Sequence, residues 1–349
     1  MEDAFGEVVW EDSQPAFPDF DDEHDDASEL DQAESLDFDA APQEVLFRIE
    51  DRIVQVLEAL SEGRLPAIPL ILEIVHQLVR EGREATQRDI YYMVLCPPIF
   101  KTPRDVNEAI QDAVSLLRVP RPLLGITCAS RGAVVGCLEF LEAPGQEWLA
   151  CTSQRAIPGS CTAIRGFSFR TAASYVIVVE KDAIFQRLAE DLFFDLVPSI
   201  IITAKGMPDM ATRVFLRCLH EAFPHLVVVG LVDWNPSGVA ILNVYKHGSV
   251  RMELESARCA IPSLKWLGVR FDMLEDAADE VWQTLSDRDR SLIQGLQTGP
   301  LATNAAWMAE LDLMDQTGRK AEIEALYTVT GFAGFTTALC QALDRQEYI

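Results

Sequence analysis

The chain has 349 residues, with 55 Asp and Glu against 29 Lys and Arg, a formal net charge of −26, and 49% apolar side chains. That is length for about two domains and ample material for a core. The longest apolar runs, at residues 176–179 and 226–232, fall well short of the ~18 residues of a spanning helix, so no membrane segment is expected. An evenly spread negative charge would also argue against nucleic acid, whose phosphates are bound mainly by Lys and Arg.

The charge is not evenly spread. Seventeen acids lie in residues 1–45, ahead of the first basic residue, Arg48; the rest of the chain holds 38 acids and 29 bases, a net of −9. Residues 1–45 lack apolar periodicity and read as a disordered acidic tail that is solubilising, binds a basic partner or masks a basic site of the chain itself. No basic stretch followed by an apolar one marks a secretory signal. The eight cysteines show no CxxC-type pairing, which disfavours zinc and a disulfide framework and suits reduced thiols in an intracellular compartment.

From residue 46 the spacing turns helical. Leu46, Ile49, Ile53, Val56 and Leu60 form one stripe, facing either the core or a partner protein. A second helix is expected over 68–81, ended at Gly82. Thr86 and Asp89 have capping-box spacing and announce a short helix from Gln87, which Pro97 and Pro98 must stop. With candidate strands at 123–127 and 133–141, this region suggests a winged-helix module. The stretch to about 165 reads as loop or short strand.

Beyond residue 170 the texture changes. Apolar β-branched runs at 175–179, 199–203 and 226–232 alternate with helical stretches at 183–194 and 208–222, the pattern of a parallel sheet covered on both faces. Helical patterns continue to the C-terminus. In such sheets chemistry sits at the carboxyl ends of strands, and two of those ends carry acids, Glu180 and Asp233. Two neighbouring carboxylates suit a hard divalent cation, although an acid after a strand also serves simply as a helix cap. Asn235 adds a carbonyl oxygen without charge.

Tyr91 and Tyr92 point about 100° apart on their helix, so one ring can be core and the other exposed. Arg88 shares the face of Tyr92 one turn earlier, where a guanidinium can stabilise charge on a phosphoryl group. Residues 80–131 hold eight bases and six acids, a locally positive segment in an acidic chain.

The strings RDIYY (88–92), VVEKDAIFQRL (178–188), TAKGMPDMATR (203–213), LVDWNPSG (231–238), YKHGS (245–249), PSLKWLGV (262–269) and KAEIEAL (320–326) occur in order. Together they resemble the family of the meiotic double-strand-break transesterase, the eukaryotic relative of the A subunit of topoisomerase VI, over roughly residues 46–335. The resemblance implies a mixed α/β chain with a winged-helix catalytic domain at 46–165 and a Toprim domain with C-terminal helices at 166–349. It implies Tyr92 as nucleophile, assisted by Arg88, and Mg2+ held by Glu180, Asp233 and the position of Asn235, where the family has aspartate. Lys205 and Arg213 become phosphate contacts, as does Arg131, which with Gly132 falls where the family has Lys-Gly. Double-stranded DNA is the implied substrate, cut by a homodimer in which each tyrosine works with the other protomer's metal and is left on a 5′-phosphate.

The family departures are Asn235, Ala204 in place of a glycine, and a longer Cys96-Pro97-Pro98 segment. Asn235 keeps open an alternative, a cleavage-deficient DNA-binding scaffold of the same fold. No GxxxxGK[ST] motif is present, so the implied partners include a B-type, ATPase-like topoisomerase VI subunit homologue, with the 46–60 helix as its contact, besides other recombination proteins in the nucleus.

Overall fold

The computed structural model describes residues 36–61, 67–94, 99–127, 129–249 and 252–349. Most of the acidic tail and the Cys96-Pro97-Pro98 segment therefore lie outside the described residues. The tail's last residues do not behave as a tail: Leu36 and Ala40 are buried, and the Asp37 amide donates to the Arg118 carbonyl at 2.8 Å. Asp37 also pairs with Arg48 at 2.6 Å.

The first core is helical. Helices α1 (Pro42–Ser61), α2 (Ala67–Glu81), α3 (Gln87–Met93) and α4 (Pro103–Leu117) surround Ile49, Ile71, Leu72, Val75, Ile90, Val106, Ile110 and Val114. Strands β1 (Ala85–Thr86) and β2 (Ile126–Thr127) pair in parallel beneath them. Ile49 and Ile53 of the expected stripe turn inward, so the inner face of α1 is core, while Phe47 stays 65% exposed.

The second core begins at Ala133. Strands β3 (Ala133–Gly136), β4 (Leu138–Leu141), β5 (Leu149–Ala150), β6 (Arg155–Ala156) and β7 (Ser168–Thr171) follow, with α5 (Cys161–Arg165) between the last two. The 133–141 run, expected as one strand of the winged-helix module, divides instead between two sheets. At Gly136 the φ is +118°, and a side chain there would collide with the Ser199 carbonyl. The chain turns at this glycine, so β3 enters the large sheet and β4 joins β5 and β7 in a three-stranded antiparallel one.

The large sheet carries β8 (Tyr175–Val179), β9 (Ser199–Thr203), β10 (Val227–Leu231) and β11 (Lys265–Gly268), in the order β11-β10-β8-β9-β3-β6. β8 pairs in parallel with both β9 and β10, and β11 continues the parallel set beside β10. Helices α6 (Asp182–Glu190) and α7 (Phe193–Leu196) connect β8 to β9, α8 (Met210–Ala222) connects β9 to β10, and α9 (Pro236–Lys246) follows β10. The central strands are buried almost throughout, which explains their unbroken apolar sequence. Because β9 and β10 lie on opposite sides of β8, the winding reverses there, placing a crevice at the carboxyl ends of β8 and β10.

The C-terminal third is not purely helical. After α10 (Glu253–Ser256) and β11, strands β12 (Gln283–Thr284) and β13 (Arg319–Lys320) form a small antiparallel pair among α11 (Asp287–Thr298), α12 (Ala305–Thr317), α13 (Leu326–Thr330) and α14 (Phe335–Asp344). Among the described residues no helix is long and apolar enough to cross a membrane.

Candidate active site

Glu180 and Asp233 meet at the crevice. The Glu180 amide donates to the Leu231 carbonyl at 3.0 Å, extending the β8–β10 ladder by one rung, and the Asp233 amide donates to Glu180 Oε2 at 2.9 Å. Asp233 Oδ1 accepts from the Ile323 amide at 2.8 Å. Burial, with the Asp233 charge alongside, pushes the Glu180 carboxyl up to about 8. Burial raises Asp233 as well, against the pull of Lys181. A buried acid pair of this kind is electrostatically short of positive charge.

Lys181 partly supplies it. Its Nζ lies 3.2 Å from Asp233 Oδ1, 3.0 Å from Glu322 Oε2 and 2.7 Å from Glu324 Oε2. Burial alone would lower this ammonium, but the surrounding carboxylates, Asp233 foremost, outweigh it and raise it.

Asn235 opens α9 as its N-cap. Its Oδ1 accepts from the Gly238 amide at 2.7 Å, while its Nδ2 approaches Asp233 Oδ2 at 3.4 Å. The oxygen expected to face a cation is thus committed to the helix. Between the two, Trp234 is fully buried. Its indole N–H donates to Glu310 Oε2 at 2.6 Å, and its carbonyl accepts from the Ala321 amide at 3.0 Å.

The pair fits a hard divalent cation as a donor set: two carboxylates whose mutual repulsion such an ion would relieve. Among the described residues no three His, Cys, Asp or Glu side chains converge as a closed metal cage.

Tyr92 sits on α3, held by the full capping box that Thr86 and Asp89 form. Tyr91 packs against the first core and Tyr92 is 56% exposed. The rings lie 5.4 Å apart. Arg88 and Arg131, both exposed, line one cleft of about 620 Å³ that runs from Thr86 and Thr127 to Met207, Asp209 and Ser249.

The other basic residues differ. Lys205, in the left-handed region at φ +58°, is half-exposed and pairs with Asp182 at 3.3 Å. The turn it occupies abuts the site, since the Gly206 amide donates to the Glu180 carbonyl at 2.9 Å. Arg213 lines the same cleft as Arg88 and Arg131 but is 2% exposed, and it donates to Ser256 Oγ at 2.7 Å and to the Ser256 carbonyl at 3.2 Å. On α8 it falls on the apolar face, which turns inward.

Lys181, Glu322, Glu324 and Glu310 went unread in the sequence. All but Glu310 stand in strings already singled out, but nothing local reveals that residues 141 and 143 positions from Lys181 share its ammonium.

Two segments define the class of protein. Residues 64–126 match the family described as Type IIB DNA topoisomerase, and residues 175–336 match the Toprim domain of the topoisomerase 6 A-subunit/Spo11 family. Meiotic recombination protein SPO11-2 of Oryza sativa subsp. indica is 44% identical over 285 residues, covering 80% of this chain and 73% of that protein. Human meiotic recombination protein SPO11 is 35% identical over 273 residues, 76% of this chain and 67% of its own. The A3 subunit of DNA topoisomerase 6 from Oryza sativa subsp. indica is 36% identical over 287 residues, 80% and 63% respectively. The chain belongs to the family that unites Spo11 with the A subunit of topoisomerase VI.

Proposed function

We propose that the chain is a topoisomerase-like transesterase that makes the DNA double-strand breaks initiating meiotic recombination, with Tyr92 as nucleophile and a divalent cation, Mg2+, on Glu180 and Asp233. The observation that carries this reading is the buried carboxylate pair at the reversal of the sheet, in a chain whose other family-matched segment presents an exposed tyrosine on a rigidly capped helix.

The Tyr92 phenol attacks phosphorus and loses its proton; a Tyr–O–P bond forms as the P–O3′ bond breaks, and the 3′ oxygen leaves as a hydroxyl. The energy of the phosphodiester is retained in the new ester, so the step can run backwards. Phosphoryl displacement needs positioning and charge neutralisation more than covalent assistance. Bound Mg2+ supplies that neutralisation at the phosphate oxygens. Arg88, one helical turn from Tyr92, adds a guanidinium on the same face, Arg131 binds backbone phosphate along the shared cleft, and Lys205 does so beside Glu180. Glu180 orients the Asp233 backbone, and Asn235 acts as cap and neighbour of Asp233 instead of as a direct ligand.

Two copies act on one duplex in the nucleus, each tyrosine reaching the carboxylate pair of the other, with a B-type partner seated on α1 around Phe47. Tyr92→Phe is expected to abolish covalent protein–DNA complexes in meiotic cells, and Tyr91→Phe to leave them largely intact; unchanged complexes in Tyr92→Phe refute the nucleophile.

The geometry of Asn235 also favours a second reading, a scaffold that has lost cleavage. Asn235→Asp separates the two: a large rise in cation-dependent cleavage from a near-zero baseline would support the scaffold.

A further inference from the structure

We propose that Lys181 is a tethered counter-cation that competes with the divalent ion for Asp233, and so limits metal uptake before DNA is bound. The inference rests on the cation reading above.

Three carboxylates from distant parts of the chain converge on Nζ, Asp233 from the end of β10 and Glu322 and Glu324 from the segment after β13. That segment is fixed in place. Ala321 donates to the Trp234 carbonyl, and Ile323 donates to Asp233 Oδ1, the oxygen that also faces the ammonium. The lysine is 24% exposed, too confined to drift into bulk water while it serves these partners.

An ammonium and a divalent cation on one carboxylate repel strongly at this range. Metal arriving at Asp233 must therefore displace Nζ from it. Glu322 and Glu324 give the displaced ammonium a place to stay, since its contacts to them, at 3.0 and 2.7 Å, are shorter than that to Asp233. Position 235 is asparagine, with its Oδ1 held by the Gly238 amide, so this residue adds no further negative charge to offset the ammonium. The lysine is a positioning residue acting through Asp233.

The test is Mn2+ binding to the full chain without DNA, followed by electron paramagnetic resonance. Lys181→Met is expected to bind Mn2+ at least about tenfold more tightly than wild type, and Lys181→Arg, which keeps the charge, to stay near wild type. A gain in affinity separates this role from a structural one, whose loss would only weaken binding. Equal or weaker binding by Lys181→Met overturns the proposal. Should that variant fail to fold, Glu322→Gln with Glu324→Gln tests the competition from the other side: the ammonium falls wholly on Asp233 and Mn2+ binding weakens several-fold, and unchanged or tighter binding overturns it. Glu180→Gln is measured in parallel. If it binds Mn2+ as wild type does, the cation reading fails and the proposal with it. If it loses binding while Lys181→Met gains none, only the proposal fails.

Discussion

Gly238→Ala sets two effects of opposite sign against each other at the edge of the site. Gly238 lies in the first turn of α9 and has no left-handed conformation to preserve, so helix propensity alone favours alanine by about 1 kcal/mol. The added Cβ, however, would fall inside 3.0 Å of the Asp233 carbonyl oxygen and 3.1 Å from Val232 Cγ2. A backbone carbonyl cannot swing away as a flexible side-chain end can. Overpacking of this kind costs about 1–3 kcal/mol, so the net loss of stability is expected at roughly 0–2 kcal/mol, with the strain relieved by moving the Asp233 loop. A shift of about 1 Å near the reacting centre can cost on the order of 100-fold in rate. Denaturant unfolding and single-turnover covalent-complex formation, measured on the same variant, should therefore diverge: a small stability change and a large loss of cleavage. A variant both more stable than wild type and fully active would refute the idea that glycine is required by the approach of α9 to Asp233.

Two further outcomes follow from buried charges. The Arg121 guanidinium and amide both donate to Glu255, the latter at 2.7 Å, joining the 3-10 turn before β2 to α10; both residues are buried. Glu255→Ala leaves the buried guanidinium its bond to Gln111 Oε1 but removes its carboxylate, and should cost about 3–5 kcal/mol in equilibrium unfolding, whereas a loss below about 1 kcal/mol would mean the pair is solvated. Asp289 is buried, which raises its carboxyl, but the Lys320 ammonium at 2.6 Å and the Ser286 amide and hydroxyl outweigh burial and hold it below the usual carboxylate range. A depressed carboxylate contributes stability above its unfolded value and loses it as pH falls through the folded one. Asp289→Asn should accordingly lower the urea midpoint at about pH 7, with the deficit shrinking towards about pH 3; a deficit independent of pH would contradict the charge argument.

The parallel sheet was legible because each buried strand is an unbroken β-branched run: residues 175–179 and 199–203 match β8 and β9, and the third run overshoots β10 by one residue at each end. The capping box at Thr86 and Asp89 was equally local, and it formed as its spacing demands. Division of the 133–141 run was not, because it depends on Gly136 meeting Ser199, a contact across the sheet. β11 escaped for a related reason, as Trp266 and Leu267 have few β-branched neighbours and their burial comes from pairing with β10. At the site, Glu180 and Asp233 could be placed at strand ends from sequence alone. The ammonium among Asp233, Glu322 and Glu324 could not, since it depends on β13 and the following turn folding back over the crevice. The depth of Arg213 was not legible either, since its α8 neighbours Val214, Phe215 and Leu216 are all buried with it and that burial depends on the packing of α8 against the sheet.

Sharing of the site between protomers is the claim on which the chemistry depends, and mixing two inactive chains tests it most directly. Full chains carrying Tyr92→Phe and Glu180→Gln are combined and supplied with DNA, the B-type partner and Mg2+. In the mixed dimer one site combines both defects, and the other combines an intact Tyr92 with an intact Glu180. Single-strand breaks should appear, with the 5′ end attached only to the Glu180→Gln chain. No breaks beyond those of either variant alone, or attachment to the Tyr92→Phe chain, would contradict the account.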